Sequence, residues 1–269
     1  MERINLLLNE ENSSICLNEN RAYFIDFNML KNQQTFVVKK NVSSSILIKE
    51  IKQNCNIDFI LEEDSNLVVK GLVNGEGVNV NIHSKNAKNS SISMHFIDFS
   101  TGKSNILVNA DMDEKGAVYN WQMASLAANN DNKTVKVNVE HNSENLYGDV
   151  SNYGVCKDAS KLEIAGTTHI ANKAKNTITK QNAKIMLIDE YSRGIAKPIL
   201  KIDENDVKAN HGASLGQLNE EHLFYLTSRG LSEAEAKKLI ILGYFNQIVV
   251  YFKDEDVEDY ILNLIGERV

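Results

Sequence analysis

The chain has 269 residues, 42% of them hydrophobic, which is enough to bury a sizeable core and excludes a disordered protein. Its formal net charge of −7 argues against a dedicated nucleic-acid or anionic-membrane surface, because such surfaces need clustered Lys and Arg. No run approaches the roughly 18 to 20 apolar residues that span a bilayer, and no signal-peptide core is visible, so the sequence predicts a cytoplasmic protein.

Residues 35 to 202 repeat one theme, a short strand-like run followed by a turn that contains Asn, Asp, Ser or Gly. Some runs alternate strictly: Val78, Val80 and Ile82 are apolar and the residues between them are polar. This is the pattern of a strand with one buried face. The theme predicts a mainly β core over residues 35–211, preceded by a short N-terminal segment of residues 1–34.

The strand starts recur about every 10 to 13 residues, which suits either a β-sandwich or a β-solenoid of stacked coils. The chain has one proline, and apart from Asn74 and Gly75 it has few of the Asn-Gly or Asp-Gly turns that join antiparallel strands. Asparagine, by contrast, is abundant. It tolerates left-handed corners and can hydrogen-bond along a stack of equivalent corners. The turns therefore favour the solenoid, with the sandwich as the alternative.

A helical pattern replaces the strand pattern after His211, over residues 212–269. Asn219 is a predicted N-cap and Gly230 a predicted stop for the first helix, and a capping box at residues 232–235 begins the second. An apolar stripe predicts a third helix over residues 254–265. His211 itself is interpreted as part of a turn between the last strand and these helices.

Two sequence features give little support for an ATPase site or a metal site. A GKS sequence occurs at residues 102–104, but the first glycine of a phosphate-binding loop would fall at Ile97, so no ATP hydrolysis is expected. His83 and His95 would lie on neighbouring coils if one coil were about twelve residues long. No acidic or thiol partner stands at ligand spacing around them, so we expect a surface ladder rather than a metal site.

The three cysteines, Cys16, Cys55 and Cys156, are far apart and form no CxxC pair. Pairing any two of them would leave one thiol over, which argues against a disulfide framework. We therefore expect reduced, partly buried thiols. No nucleophile elbow, HExxH pair or Ser/His/Asp order stands out, so hydrolytic catalysis has no positive support.

Four segments near the end of the chain carry a specific resemblance: KPILKI at residues 197–202, DVK at 206–208, HGASLG at 211–216 and LFYLTSRG at 223–230. Together they resemble the C-terminal signature of the SufB/SufD family of iron–sulfur cluster assembly scaffolds. Gly212 resembles the SufD side of that family, because SufB-like members typically carry an acidic residue after the histidine.

The resemblance implies a right-handed parallel β-helix followed by helices, acting as a non-catalytic scaffold of the SUF system. It implies two partners, a SufB-type paralogue, or alternatively a second copy of the chain, and a SufC-type ABC ATPase docked on residues 212–269. No cofactor would bind stably to the isolated chain, and a transient iron–sulfur cluster would form at a subunit interface. Two alternatives are a SufB-like primary cluster scaffold in a shortened system and a β-helix enzyme acting on polysaccharide.

The residues alone favour a structural role for His211, with its ring bonded to a turn carbonyl. The resemblance instead makes His211 the candidate cluster ligand, since a neutral imidazole can bind iron while a partner supplies thiolates. Ala209 stands where many SufD relatives have Cys, and no cysteine follows Cys156. Sulfur ligands must therefore come from elsewhere.

The resemblance also implies a dock for the ATPase on the C-terminal helices. The candidate contact residues are Phe224, Tyr225, Arg229, Leu239, Tyr244 and Phe245. Core packing is the alternative role for Phe224. Satisfying the carbonyls at a helix end is the alternative for Arg229.

Overall fold

The computed structural model describes residues 3–5, 14–25, 32–252 and 255–268. Within these residues a long series of short strands precedes the helices. The strands are β1 (Arg3–Asn5), β2 (Ser14–Leu17), β3 (Ala22–Ile25), β4 (Gln33–Val38), β5 (Ser43–Ile51), β6 (Cys55–Leu61), β7 (Asn66–Val73), β8 (Asn79–Asn86), β9 (Ser91–Asp98), β10 (Lys103–Met112), β11 (Val118–Ala127), β12 (Asn132–His141), β13 (Tyr147–Cys156), β14 (Lys161–Ile170), β15 (Thr177–Leu187), β16 (Arg193–Ile202) and β17 (Val207–Gln217). The helices are α1 (Glu220–Ser228), α2 (Glu233–Val249) and α3 (Glu255–Arg268).

Successive strands alternate between two parallel sheets. The odd-numbered strands form a nine-stranded sheet and the even-numbered strands an eight-stranded sheet, each in sequence order. One coil therefore takes one strand from each sheet, which confirms the β-solenoid over the sandwich. The coil lengthens along the chain, since Ser43 pairs with Asn66, 23 residues on, and Lys161 pairs with Arg193, 32 residues on. The spacing visible in the sequence is half a coil.

Alternation along each strand places apolar side chains inside the coils. In β10 and β12 every second residue is buried, because neighbouring side chains of a strand point to opposite faces. Aromatic rings stack from coil to coil, with centroids 5.5 Å apart for Phe36 and Phe59 and 5.2 Å apart for Phe96 and Trp121. The buried indole N–H of Trp121 donates to Asn152 Oδ1 at 2.9 Å. The core is thus continuous from one coil to the next.

Asparagine and aspartate occupy the corners between strands, as the sequence predicted. Corner side chains link neighbouring coils, as where Asn89 Nδ2 donates to Asp64 Oδ1 at 3.0 Å. Asparagines within strands do the same on the eight-stranded sheet, where Asn105 Nδ2 donates to Asn79 Oδ1 at 2.8 Å. These residue types tolerate the left-handed conformation better than other side chains do. The Asn and Asp residues with positive φ are Asn41, Asp64, Asn89, Asn129, Asn145, Asp158 and Asn176.

The strands extend beyond the predicted span of residues 35–211 at both ends. The short strands β1, β2 and β3 pair in register with the coils that follow, and β17 continues to Gln217. His211 lies in the middle of β17, so its assignment to a turn is wrong. The strand forms there because β15 offers a partner to every residue of β17, and such pairing is not visible in local sequence.

The first two helices begin at their predicted caps. The Asn219 side chain accepts hydrogen bonds from two backbone N–H groups of α1. Ser232 and Glu235 form a reciprocal capping box at the start of α2. Asp254, where the third helix was predicted to begin, lies outside the described residues. Of the helices described, none is long and apolar enough to span a bilayer.

Helices α2 and α3 cover part of the outer face of the nine-stranded sheet. The Phe245 ring of α2 stacks on Phe99, with centroids 6.0 Å apart. The same buried cluster contains Leu72 and Ile97 from the sheet and Ile261 from α3. The apolar faces of these two helices are therefore used to fix them to the solenoid.

Candidate functional site

The solenoid ends at β16 and β17, and no described strand covers them. Each is the last strand of its sheet and pairs along one edge only, β17 with β15 and β16 with β14. The free edges present unpaired backbone groups, which are a template for the addition of another strand. We call β16 and β17 the open end. Large apolar side chains exposed on it are Ile199 (51%), Ile202 (45%) and Leu215 (50%).

His211 lies at the centre of the open end and faces the inside of the last coil. It pairs with Gln181 of β15, which is buried, and paired residues of parallel strands point to the same face. Leu215, four residues further along β17, also points into the coil. It reaches towards β16, since a Cβ added to Gly194 would lie only 2.5 Å from Leu215 Cδ1. No strand in the described part of the chain lies above it, and His211 is exposed.

Small side chains surround His211. Ala209 and Ala213 flank it on β17, and Ala196 and Pro198 lie on the inward face of β16, in register with inward positions of β14. None of these side chains is large enough to enclose an imidazole. The ring nitrogens are therefore accessible from the solvent, and a metal ion or a second subunit can reach them.

The described residues hold no ready-made metal site, since no group of three or more His, Cys, Asp or Glu side chains among them is arranged to bind a metal ion. All three cysteines are free thiols. Burial raises the pKa of Cys55 and of Cys156 to about 12, so neither thiol is a thiolate near neutral pH. Cys16 is exposed on β2, at the other end of its sheet from β16. No cysteine of the described residues therefore offers a thiolate beside His211.

Helix α1 follows β17 and has no buried residue. Phe224 is 74% exposed and Tyr225 is 56% exposed on it, and Leu239 of α2 is 49% exposed. The Arg229 guanidinium lies over the Tyr225 ring, with Cζ 5.3 Å from the ring centroid, which is a cation–π contact. We call these four residues the helical face. The exposure of Phe224 rules out core packing as its role within this chain.

Two predicted contact residues lie away from the helical face. Phe245 is fully buried against Phe99, so its prediction as a partner contact is wrong. Tyr244 is partly buried, and its ring meets Tyr153 edge-on with centroids 5.9 Å apart. Helical periodicity identifies an apolar stripe but does not say whether the stripe covers the same chain or another one.

One ionic contact joins α2 to the last coils, and a second one within α2 shares its lysine. Lys237 Nζ lies 3.0 Å from Glu233 Oε1 on α2 and 3.3 Å from Asp189 Oδ1 in the corner after β15. The hydrogen bond with Glu233, and then that with Asp189, raise the pKa of Lys237. Because this corner leads directly into β16, the contact ties α2 to a segment next to the open end.

Two histidines on the outer face of the eight-stranded sheet bridge carboxylates from neighbouring coils. His83 Nε2 lies 2.9 Å from Asp111 Oδ2. The His169 ring lies between Asp203, at 2.9 Å, and Glu140, at 2.6 Å. Hydrogen bonding to Asp203, and then to Glu140, raises the pKa of His169. These partners are 28 to 34 residues apart in sequence, so only the coil length reveals them.

The placement of His83 and His95 on neighbouring coils of one ladder is wrong. His83 belongs to β8 and His95 to β9, which are strands of different sheets. His95 is buried under Tyr251, with ring centroids 3.8 Å apart, and burial lowers its pKa to about 4. The error arose because twelve residues are half a coil.

The structure is a β-solenoid with an unpaired strand edge at its open end and helices after its last strand. A family model for the SUF system FeS cluster assembly SufBD core domain matches residues 25–244. This range includes both strands of the open end and all of α1. The chain belongs to the SufBD core domain family.

Several curated proteins resemble this chain. The iron–sulfur cluster assembly protein SufD of Bacillus subtilis (strain 168) is 33% identical over 150 residues, which are 52% of this chain and 34% of SufD. SufD of Escherichia coli (strain K12) is 29% identical over 115 residues, 43% of this chain and 27% of SufD. A SufBD family protein of Staphylococcus saprophyticus is 29% identical over 104 residues, 39% of this chain and 22% of the relative. The chain thus spans about a third or less of these relatives and is SufD-like in sequence.

Proposed function

We propose that this chain is a non-catalytic, SufD-like scaffold subunit that pairs through its open end and docks an ABC-type ATPase on its helical face. The observation that carries the proposal is His211, an inward-facing residue that is exposed because no coil of the described residues covers it. Any further coil or continuous packing would have buried this imidazole. Membership of the SufBD family supports iron–sulfur cluster assembly as the process it serves.

The cluster in this proposal is cargo held between two subunits. His211 contributes the lone pair of one ring nitrogen to iron, and the partner contributes thiolates. The burial of Cys55 and Cys156 and the remote position of Cys16 support this division. They favour the SufD-like role over that of a primary cluster scaffold, which needs accessible thiolates of its own.

The proposed partner at the open end is a SufB-type paralogue that adds an edge strand next to β17. Main-chain hydrogen bonds supply affinity in such strand addition, and the exposed Leu215 and Ile202 supply apolar contact. A second copy of this chain presents the same edge and is the alternative partner. In both arrangements His211 lies at the junction.

The proposed partner of the helical face is a SufC-type ATPase. Phe224 and Tyr225 are exposed aromatic side chains with an arginine beside them, and Tyr and Arg are enriched among the residues that dominate interface energies. The contact of Lys237 with Asp189 connects α2 to the corner before β16. An ATP-driven displacement of the helices would reach the subunit junction by this route.

Co-purification from cells that express this chain with a SufB-type paralogue and a SufC-type ATPase tests the docking. We expect the double variant Phe224→Ser, Tyr225→Ser to co-purify with about tenfold less of the ATPase protein, because the variant lacks both aromatic anchors. Ile60→Ser is the matched control, since Ile60 is 39% exposed on the eight-stranded sheet, and it should retain the ATPase. Equal recovery from the two variants would rule out the helical face as the dock.

Anaerobic reconstitution of the same complex tests the cluster role. We expect His211→Ala to assemble with its partners but to lose most of the visible absorbance of the cluster, because one ligand is removed. His83→Ala changes a histidine on the outer face of the other sheet and should behave like the wild type. Full absorbance in the His211 variant would contradict the proposed ligand.

A further inference from the structure

A buried amide lies directly beneath His211. Gln181 pairs with His211 across β15 and β17 and is 3% exposed. Its Oε1 atom is buried and has no hydrogen-bond partner among the described residues. A buried polar atom without a hydrogen-bond partner destabilises the folded state, and nearly all such atoms in native proteins are satisfied. The position therefore favours a hydrogen-bond donor at the open end.

The ring of His211 is the donor that the ladder places nearest. Neighbouring strands are about 4.8 Å apart, and both side chains point into the coil. Ala209 and Ala213 flank the histidine, and Ala183 flanks the glutamine, so their small side chains leave room for the ring and the amide to meet. Since His211 is exposed, a rotation of its side chain towards the amide meets little resistance.

We propose that Gln181 is a positioning residue for His211: the ring donates one N–H to the amide oxygen, and the other nitrogen keeps its lone pair and points out of the open end. Histidines that bind metals are commonly held in this way by a hydrogen bond at the far nitrogen, which fixes the tautomer and the ring orientation. The inference rests on the proposed role of His211 as a ligand.

The same row of side chains supports the assignment. Below Gln181 the row continues with Val150 and Trp121, which are buried and belong to the apolar core. Core packing alone would be served by another apolar side chain at position 181. The row becomes polar only in the last two coils, where the imidazole is. A glutamine at this position is explained if its amide binds the imidazole above it.

Nitrogen-15 NMR of the His211 ring in the metal-free 269-residue chain tests the proposal. At a pH where the ring is neutral, we expect one dominant tautomer in the wild type. Gln181→Met keeps the side-chain length but removes the acceptor, so the ring should return to the tautomer mixture of free imidazole.

Thr179→Val is the control, since Thr179 is also buried and inward-facing but pairs with Ala209, and it should leave the His211 signals unchanged. Gln181→Asn moves the amide away from His211 without adding an apolar group. It tests the same hydrogen bond if the Gln181→Met variant does not fold. A mixed tautomer in the wild type, or a dominant tautomer that persists in these variants, overturns the proposal. The readouts require no partner and no cluster, so they can fail while the docking and reconstitution results stand.

Discussion

Arg268 Nη2 lies 2.6 Å from Asp131 Oδ2 and joins the last turn of α3 to the corner between β11 and β12. Both side chains are largely buried, with 13% and 6% exposure. The carboxylate of Asp131 also accepts hydrogen bonds from the backbone N–H groups of Gly102 and Ala128. One aspartate therefore fixes two corners of the solenoid and the end of the helical segment.

Arg268→Gln should loosen α3 from the solenoid. Removing one member of a buried ion pair typically costs about 3 to 5 kcal/mol, because the other charge is left buried without its partner. We expect hydrogen exchange to accelerate in residues 255–268, while residues 103–141 exchange as in the wild type. Glu267→Gln alters the exposed neighbour and serves as the control. Unchanged protection of α3 would show that its apolar contacts alone hold it in place.

Lys133→Met should destabilise the solenoid itself. Lys133 Nζ lies 3.0 Å from Asp98 Oδ2, and each side chain is 1% exposed. Burial lowers the pKa of Lys133, and Asp98 opposes this shift. The variant leaves a buried carboxylate without its cation, so we expect a loss of about 3 to 5 kcal/mol in the free energy of unfolding.

Urea unfolding would measure this change against two references. Lys103→Met replaces an exposed lysine on the neighbouring strand β10 and should lie within about 0.5 kcal/mol of the wild type. Adding Asp98→Asn to Lys133→Met removes the isolated charge and should recover part of the stability. A single variant as stable as Lys103→Met would contradict a role for the pair in stability.

His141 should make the protein sensitive to acid. Its side chain is fully buried, and burial lowers its pKa to about 4. The unfolded chain binds this proton near pH 6.5 and the folded chain does not, so stability is present above pH 6.5 and is lost as the pH falls towards 4. The shift corresponds to about 3 kcal/mol, at about 1.4 kcal/mol per pKa unit.

His141→Asn separates this titration from the hydrogen bond that the ring makes. His141 Nδ1 donates to the His169 carbonyl oxygen at 3.1 Å, and an asparagine amide can replace that donor. We expect the decline of stability between pH 6.5 and 4 to be shallower in this variant, as measured by urea unfolding at several pH values. His222→Asn changes an exposed histidine of α1 and should keep the wild-type slope. An identical slope in both variants would contradict the assignment.

His169 should act in the opposite direction. Its pKa is raised by Asp203 and Glu140, so its contribution is fully present below pH 6.5 and is lost as the pH rises through the folded pKa. Asp203 follows β16 directly, so we expect residues 203–210 to exchange amide hydrogens faster above that pKa than intrinsic rates predict. His169→Gln should abolish this excess, and His83→Gln should not. The same pH dependence in all three proteins would refute the bridge.

Local sequence was sufficient to predict the helix caps and the asparagine corners of the coils. Asn219 and Ser232 act as N-caps because their side chains reach backbone groups two or three residues away, an interaction that the sequence itself contains. The asparagine corners are local in the same way, since the left-handed conformation depends on the residue type. The family signature around His211 also needed no coordinates to be recognised.

The partners of a side chain were beyond local sequence wherever they depended on the length of a coil. Coils of 30 to 32 residues bring His169 to Asp203 and Gln181 to His211, whereas the alternating pattern shows only the half-coil. The clean alternation of β8 and β9 made these strands visible. In β11 and β13, polar and small residues such as Asn152 and Gly154 occupy inward positions, so the pattern was too weak to predict them.

The amino-acid sequence by itself determined the class of this protein, because strand alternation, corner residues and helix caps each act over a few neighbouring residues. Only the tertiary structure decided which apolar side chains remain free, burying Phe245 and exposing Phe224, and which face His211 presents. Those outcomes depend on how many coils stack and where the stack ends. Whether a side chain is buried depends on the coil or helix that packs against it, and the neighbouring residues in the sequence do not reveal which element that is.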